Sequence, residues 1–140
     1  MLKMGFPPHL VEILRNLYRQ QMAAVRTAGI VSSWFQVKKG VRQGCVISPC
    51  LFNILAEMVM RRVLEDWKGG FRIGGMTINN LRYADDIVLI AETAEKLQEL
   101  VDPLIQEGTN YNLLLNAAKT KVMTNTTERM NIKINGTALE

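Results

Sequence analysis

Two periodicities of apolar residues run along this 140-residue chain. Spacing near 3.6 residues, which is typical of amphipathic helices, occurs in three stretches. The predicted helices run from Pro7 or Pro8 to residues 22–24, from Ser48 to about Trp67, and from Thr93 to residues 110–112. Ser48 and Thr93 are predicted N-caps, because a hydroxyl oxygen can accept a hydrogen bond from a free N–H of the first turn.

Each predicted helix carries an apolar stripe that would face a core. The stripes are Leu10, Leu14, Leu17 and Tyr18 in the first helix, Leu51, Phe52, Leu55, Met58, Val59 and Val63 in the second, and Leu97, Leu100, Val101, Leu104 and Ile105 in the third. Pro103 interrupts the third stripe. A proline inside a helix costs about 3 kcal/mol, so we expect a kink or a break near residues 101–102.

The other apolar runs are short and bounded by turn residues, as strands are. Predicted strands are residues 25–27 and 30–37 around Ala28-Gly29, residues 71–73 before Gly74-Gly75, residues 77–83 and 87–91, and residues 119–124 paired with 131–134 before Asn135-Gly136. Helices and hairpins therefore follow one another along the chain. This order predicts an α+β fold in which helices cover one face of a mainly antiparallel sheet.

Asp85 and Asp86 interrupt an apolar, β-branched run at the predicted turn between residues 77–83 and 87–91. One explanation is turn chemistry, because Asp hydrogen-bonds its own backbone and tolerates unusual dihedral angles. The other is a site for a hard cation such as Mg²⁺, whose charge would offset the repulsion between two carboxylates. The pair alone is compatible with both explanations.

The composition is that of a globular protein, because 48% of residues are hydrophobic and 21% are charged. No apolar run approaches a membrane span, and the first eight residues lack the apolar stretch of a signal peptide. We therefore expect an intracellular protein, in the nucleus, the cytoplasm or both, that is not secreted. Cys45, Cys50 and the single histidine, His9, are too few for a zinc site with four Cys or His ligands, which favours free thiols.

Positive charge is concentrated in the first half of the chain. Residues 1–70 contain ten Lys and Arg against four Asp and Glu, whereas residues 71–140 contain seven against nine. A basic segment beside an acidic pair fits a phosphate-binding, metal-using site, and it is equally common on ordinary solvated surfaces.

Three segments, taken in order, resemble one family. They are Gly40-Val41-Arg42-Gln43-Gly44-Cys45-Val46-Ile47-Ser48-Pro49-Cys50-Leu51-Phe52-Asn53, then Tyr83-Ala84-Asp85-Asp86, then Leu114-Leu115-Asn116-Ala117-Ala118-Lys119-Thr120-Lys121. Together they resemble the reverse transcriptases of non-LTR (LINE-like) retrotransposons. The resemblance covers nearly the whole chain and implies a polymerase palm.

The resemblance implies an RNA-directed DNA polymerase that uses Mg²⁺, or Mn²⁺, to add deoxynucleoside triphosphates to a DNA primer on an RNA template. It assigns Asp85 as the primary metal ligand, Asp86 as the supporting acid and Tyr83 to the primer side. It further assigns Arg42, Gln43 and Gly44 to nucleotide and template binding and Lys119 to the leaving pyrophosphate, the alternative for Lys119 being an ordinary solvated lysine. Ser48 lies at a helix N-terminus, where free N–H groups suit a phosphate, but capping alone is the favoured role.

The chain departs from the family in lacking a third metal-binding carboxylate on a strand before the first helix, since no acid precedes Glu12. Residues 1–140 are therefore expected to be one partial reverse transcriptase domain, a palm fragment with most of the fingers and the thumb absent. Alone it is expected not to polymerise, and to self-associate through an exposed palm edge. The alternatives are a non-catalytic nucleic-acid-binding or interaction module and a remnant that does not fold.

Overall fold

The structure is a computed structural model that describes residues 1–127 and 130–140. Its α-helices are α1 (Pro8–Tyr18), α2 (Ser48–Val63) and α3 (Ala94–Asn110), preceded by a 3-10 turn at Leu2–Met4. Its strands are β1 (Met22–Ala23), β2 (Arg26–Thr27), β3 (Ile30–Val31), β4 (Phe35–Gln36), β5 (Phe71–Ile73), β6 (Met76–Ile78), β7 (Asn80–Tyr83), β8 (Asp86–Leu89), β9 (Lys133–Ile134) and β10 (Thr137–Ala138). The predicted α+β class is confirmed.

All strand pairing within the described residues is antiparallel, as predicted. It takes the form of five two-stranded ladders, which pair β1 with β4, β2 with β3, β5 with β6, β7 with β8, and β9 with β10. Each strand pairs with one that is near in sequence, so the closing turns determine the register of the ladders.

Four of the ladders are closed by two-residue loops. In three of them, Ala28-Gly29, Gly74-Gly75 and Asn135-Gly136, both loop residues have positive φ, between 47° and 84°. That combination defines the type I′ turn, whose twist matches that of paired strands and whose second position favours glycine. The three turns predicted from these dipeptides are confirmed.

The chain forms two compact units, Met1–Leu51 and Phe52–Glu140. In the first unit, α1 ends at Tyr18 rather than near residues 22–24, so the predicted end of this helix is wrong. Gln20 has a φ of 57°, and from Met22 the backbone pairs with Phe35–Gln36 instead. The ladder with β4 therefore takes the residues that helical periodicity assigned to the helix.

The first unit buries polar rather than apolar residues. Gln21 and Ser48 are its buried side chains, and no apolar residue among residues 1–51 is buried. Leu10 and Leu17, which belong to the predicted inner stripe of α1, are 43% and 40% exposed. Leu14 and Tyr18 are partly buried, so the predicted stripe of α1 is only partly covered within this unit.

The second unit contains the apolar core, built between α2 and α3. Val59, Met60 and Val63 from α2 meet Leu100 and Leu104 from α3. Met60, which the predicted stripe omitted, is 1% exposed, whereas Leu51, Phe52, Leu55 and Met58 are only partly buried. α2 also ends at Val63, four residues before the predicted end. No helix within the described residues has the length and apolar character needed to span a membrane.

Helix α3 begins as predicted, with the Thr93 hydroxyl oxygen accepting a hydrogen bond from the Lys96 backbone N–H at 3.3 Å. It continues through Pro103 to Asn110, so of the kink or break expected near residues 101–102 the break does not occur. Val101 and Leu104, on either side of the proline, are 6% and 4% exposed. Burial of these flanking side chains offsets the lost hydrogen bond.

The last strand pairing differs from the prediction. Residues 119–124 form no strand, and β9 pairs instead with β10 across Asn135-Gly136. Ile132 and Ile134 pack against Val101 of α3, which anchors this hairpin to the core. The predicted partner was wrong because the tight turn brings β10, which is closer in sequence, beside β9. Residues 119–124 still make one backbone contact with the end of the chain, in which the Val122 N–H donates to the Glu140 carbonyl at 2.8 Å.

Candidate active site

The two adjacent acids lie at the tip of the β7–β8 hairpin. Tyr83 pairs with Asp86, so Ala84 and Asp85 form the two-residue loop between the strands. The predicted strand over residues 77–83 is split, because Met76–Ile78 pairs with β5 and the chain passes to β7 at Asn79. The Ile90 N–H donates to the Asn79 carbonyl at 2.9 Å, which extends the hairpin by one more bond.

The two faces of this hairpin have different surroundings. Paired residues share a face and successive residues alternate between faces. The inner face carries Asn80, Arg82, Ile87 and Leu89, and the outer face carries Leu81, Tyr83, Asp86 and Val88. Ile87 and Leu89 pack on the core of α2 and α3, whereas Tyr83 is 83% exposed. Asp85 and Asp86 are both exposed, so their oxygens are accessible to a ligand.

The hairpin tip is conformationally strained. Ala84 has a φ of 52° and Asp85 does not have a positive φ, which is the pattern of a type II′ turn. Glycine is the usual residue at the first position of that turn, because a Cβ is unfavourable in the left-handed region. The Tyr-Ala-Asp-Asp turn is thus the one two-residue loop in the described chain without a glycine.

An ion pair joins the hairpin to α2 beside the tip. Arg82 donates from Nη2 to Glu57 Oε2 at 2.6 Å, and Arg61 donates from Nε to Glu57 Oε1 at 2.7 Å. Hydrogen bonds from Arg61 and then Arg82 lower the pKa of the Glu57 carboxyl. Glu57 therefore stays ionised and uses both of its oxygens to hold the two guanidinium groups.

The glycine-bounded loop at residues 40–44 is held by polar contacts within the first unit. Arg42 lies 6.0 Å from the centroid of the Tyr18 ring and donates to the Leu17 carbonyl at 3.4 Å. Ser48, predicted to cap α2, donates its hydroxyl to the Arg42 carbonyl at 2.7 Å. The start of α2 is thus tied to the loop that precedes it.

Gln43 and Gly44, the other residues assigned to nucleotide and template binding, are exposed. Gly44 has a φ of 77° with open space where a Cβ would lie, so it serves the turn. The Ile47 backbone N–H, followed by the Ser48 side chain, lowers the pKa of the Cys45 thiol. Cys45 and Cys50 are free thiols.

Lys119 lies in a turn whose N–H groups bond to Asn116. Its own N–H donates to Asn116 Oδ1 at 3.2 Å, and its side chain is exposed. Within the described residues it forms no ion pair with Asp85 or Asp86, and no group of three His, Cys, Asp or Glu residues is arranged to hold a metal ion. The structure therefore brings together Tyr83, Asp85 and Asp86 of the predicted site.

The sequence model of the family described as reverse transcriptase (RNA-dependent DNA polymerase) matches residues 1–136. The match includes the Gly40–Gly44 loop, the β7–β8 hairpin and Lys119. The chain therefore belongs to the reverse transcriptase family, and the family resemblance inferred from its motifs is confirmed.

Its relatives are proteins of non-LTR elements. It is 40% identical over 90 residues (64% of this chain) to the retrovirus-related Pol polyprotein of the type-1 retrotransposable element R2 of Nasonia vitripennis. It is 33% identical over 115 residues (82%) to that of the type-2 element R2DM of Drosophila melanogaster, and 29% identical over 119 residues (80%) to the RNA-directed DNA polymerase from mobile element jockey of Drosophila funebris. The chain matches 8%, 11% and 12% of the length of these relatives, respectively.

Sequence reasoning missed Glu57 and Arg82. The Glu57–Arg61 pair has the i,i+4 spacing that stabilises helices and was visible in the sequence. The Glu57–Arg82 contact joins residues 25 positions apart, and no local pattern indicates it.

We predict that Ala84→Gly raises the free energy of unfolding by up to about 1 kcal/mol, because glycine removes the unfavourable Cβ at positive φ. Ala84→Val should lower it by about 1–3 kcal/mol, since a β-branched residue is more strained there. Urea unfolding followed by circular dichroism measures both changes.

The matched control is Ala56→Gly inside α2, which should lower the free energy of unfolding by about 1 kcal/mol. A decrease of the same size for Ala84→Gly would contradict the strain assigned to Ala84.

Proposed function

We propose that this chain carries the catalytic hairpin of an RNA-directed DNA polymerase, which joins deoxynucleoside triphosphates to a DNA primer on an RNA template. The observation that carries the proposal is the Tyr83-Ala84-Asp85-Asp86 turn, which projects two exposed carboxylates from a hairpin packed on the core. Family membership over residues 1–136 supports it. We propose residues 1–140 as one partial reverse transcriptase domain of palm type.

The donor set at the tip fits Mg²⁺. Asp85 and Asp86 supply hard carboxylate oxygens, and Mg²⁺ in nucleotide-processing sites is held by one or two carboxylates together with substrate phosphates. When bound, such ions lower the pKa of the attacking hydroxyl and stabilise charge on the leaving pyrophosphate, and Mn²⁺ can replace Mg²⁺. In this proposal Asp85 is the primary ligand and Asp86 the supporting acid.

The remaining assignments concern nucleic acid and nucleotide. Tyr83 is 83% exposed on the outer face beside Asp86, where its ring can contact a primer. Arg42, Gln43 and Gly44 are proposed to contact template and incoming nucleotide, and Lys119 to neutralise pyrophosphate. Residues 1–51 carry seven Lys and Arg against one Glu, a charge distribution that favours a phosphate backbone. These substrates also favour a nuclear or cytoplasmic location.

The metal site can be tested with Mn²⁺, whose unpaired electrons broaden the amide NMR signals nearest to it. We predict that Mn²⁺ first broadens the signals of Ala84, Asp85 and Asp86, and that excess Mg²⁺ restores them. Asp85→Asn should abolish this local broadening, because it removes the principal carboxylate. Asp66→Asn, a change of an exposed acid three residues after α2, is the matched control and should leave it intact.

Polymerisation by the chain alone is a separate question. We predict no template-dependent primer extension with Mg²⁺ or Mn²⁺, because the tip carries two carboxylates and no group of three possible ligands is found within the described residues. The assay uses the full chain with an RNA template, a DNA primer and all four nucleotides. Incorporation that Asp85→Ala abolishes would refute the predicted inactivity.

We also propose self-association through the β7–β8 hairpin. Both of its strands are edges, and Leu81 and Val88 on the outer face are 55% and 54% exposed. We predict a concentration-dependent increase of mass in light scattering that Leu81→Lys diminishes. A monomer at every concentration would contradict this proposal.

A further inference from the structure

Glu57 and Arg82 connect α2 to the hairpin that carries the proposed catalytic carboxylates. Their closest atoms are 2.6 Å apart, and each side chain is 32% exposed, so the contact is partly accessible to solvent. A hydrogen bond of this length between two ionised groups is stronger than one between neutral groups. We call this contact the helix–hairpin ion pair.

The helix–hairpin ion pair lies where the core ends and the exposed tip begins. Arg82 pairs across the ladder with Ile87, which packs on the α2–α3 core. Glu57 lies one helical turn before Met60, which is 1% exposed in that core. Beyond Arg82 the chain enters Tyr83 and the strained loop, where every residue to Asp86 is exposed. Among the ion pairs of the described residues, this pair lies nearest to the tip.

The pair also determines where the positive charge of Arg82 lies. Glu57 holds it on the inner face, whereas Asp86 lies on the outer face. Arg61 binds the other oxygen of Glu57 and holds this acceptor in place.

We infer that Glu57 is a positioning residue for the catalytic hairpin, acting through Arg82 to orient the tip. The inference rests on the proposed metal site at these two acids. It predicts that breaking the ion pair from either side weakens metal binding, although neither residue contacts the metal.

The test is a Mn²⁺ titration of the full chain, read from the broadening of the Ala84 and Asp86 amide signals. Glu57→Gln and Arg82→Gln should each weaken Mn²⁺ binding about tenfold, the lower end of the effect of residues that support a metal ligand. If the substitutions acted only through their charge, Arg82→Gln would strengthen Mn²⁺ binding, because it removes a cation near the site, whereas Glu57→Gln would weaken it. Opposite effects of the two substitutions would therefore overturn the inference.

A double-mutant cycle tests whether Glu57 acts through Arg82. The variant with both substitutions should bind Mn²⁺ within about twofold of Arg82→Gln alone, since the second change has no remaining partner to disturb. Additive losses would show that Glu57 acts independently and would contradict the inference.

Glu107→Gln is the matched control. It also removes a carboxylate paired with an arginine of α2, because Arg62 donates to Glu107 at 3.2 Å, but that pair joins α2 to α3. It should change Mn²⁺ binding by less than about twofold. An equal loss in this control would assign the effect to general destabilisation and overturn the inference.

The proposed function and the positioning role can fail separately. If Asp85→Asn leaves the Mn²⁺ broadening unchanged, the proposed metal site is wrong. If Asp85→Asn abolishes it while Glu57→Gln and Arg82→Gln both bind as the unaltered chain does, only the positioning role is wrong. If Glu57→Gln does not fold, Arg82→Gln alone tests the positioning role. Lost positioning would weaken its Mn²⁺ binding, whereas lost positive charge would strengthen it.

Discussion

The packing of Ile87 and Leu89 on the α2–α3 core determines the form of the proposed active site. Alternation along β8 places Asp86 and Val88 on the opposite face, so burying the two apolar residues exposes the acid. A shift of one residue in the register would bring Asp86 to the core, where an unpaired carboxylate is very costly. The apolar contact and the accessible carboxylate are therefore two consequences of one register.

Much of the fold follows from local chemistry that the sequence displays. The three turns with glycine in second place and the Thr93 cap were predictable because each depends on adjacent residues. The end of α1 and the partner of β9 were not predictable. In each case two structures compete for the same residues, namely helix against the β1–β4 ladder, and residues 119–124 against β10. For Pro103 the sequence showed the energetic cost of a proline inside a helix, but it did not show the burial of Val101 and Leu104 that offsets this cost.

The candidate site was likewise predictable where it depends on adjacent residues, and not where it depends on the fold. Tyr83, Asp85 and Asp86 were identified from a contiguous motif, and a two-residue loop brings them together. The strain at Ala84 could not be predicted, because the Ala84-Asp85 dipeptide does not show which type of turn it forms until φ is known. Glu57 was hidden as well, since its partner Arg82 lies on a different element. The residues proposed to bind are visible in a motif, whereas the residue proposed to position them becomes visible only in the fold.

The two units differ in how they maintain their structure. The second unit buries apolar side chains from two helices and from residues 132–134 at the β9–β10 hairpin, and the partly buried Ile87 and Leu89 pack the β7–β8 hairpin on that core. The first unit buries only Gln21 and Ser48 and holds Arg42 by a ring contact and a carbonyl. Polar contacts that water can replace stabilise less than apolar burial. The geometry of the acids at the tip is therefore determined within the second unit, while the loop assigned to nucleotide and template is held by weaker contacts that a bound strand can rearrange.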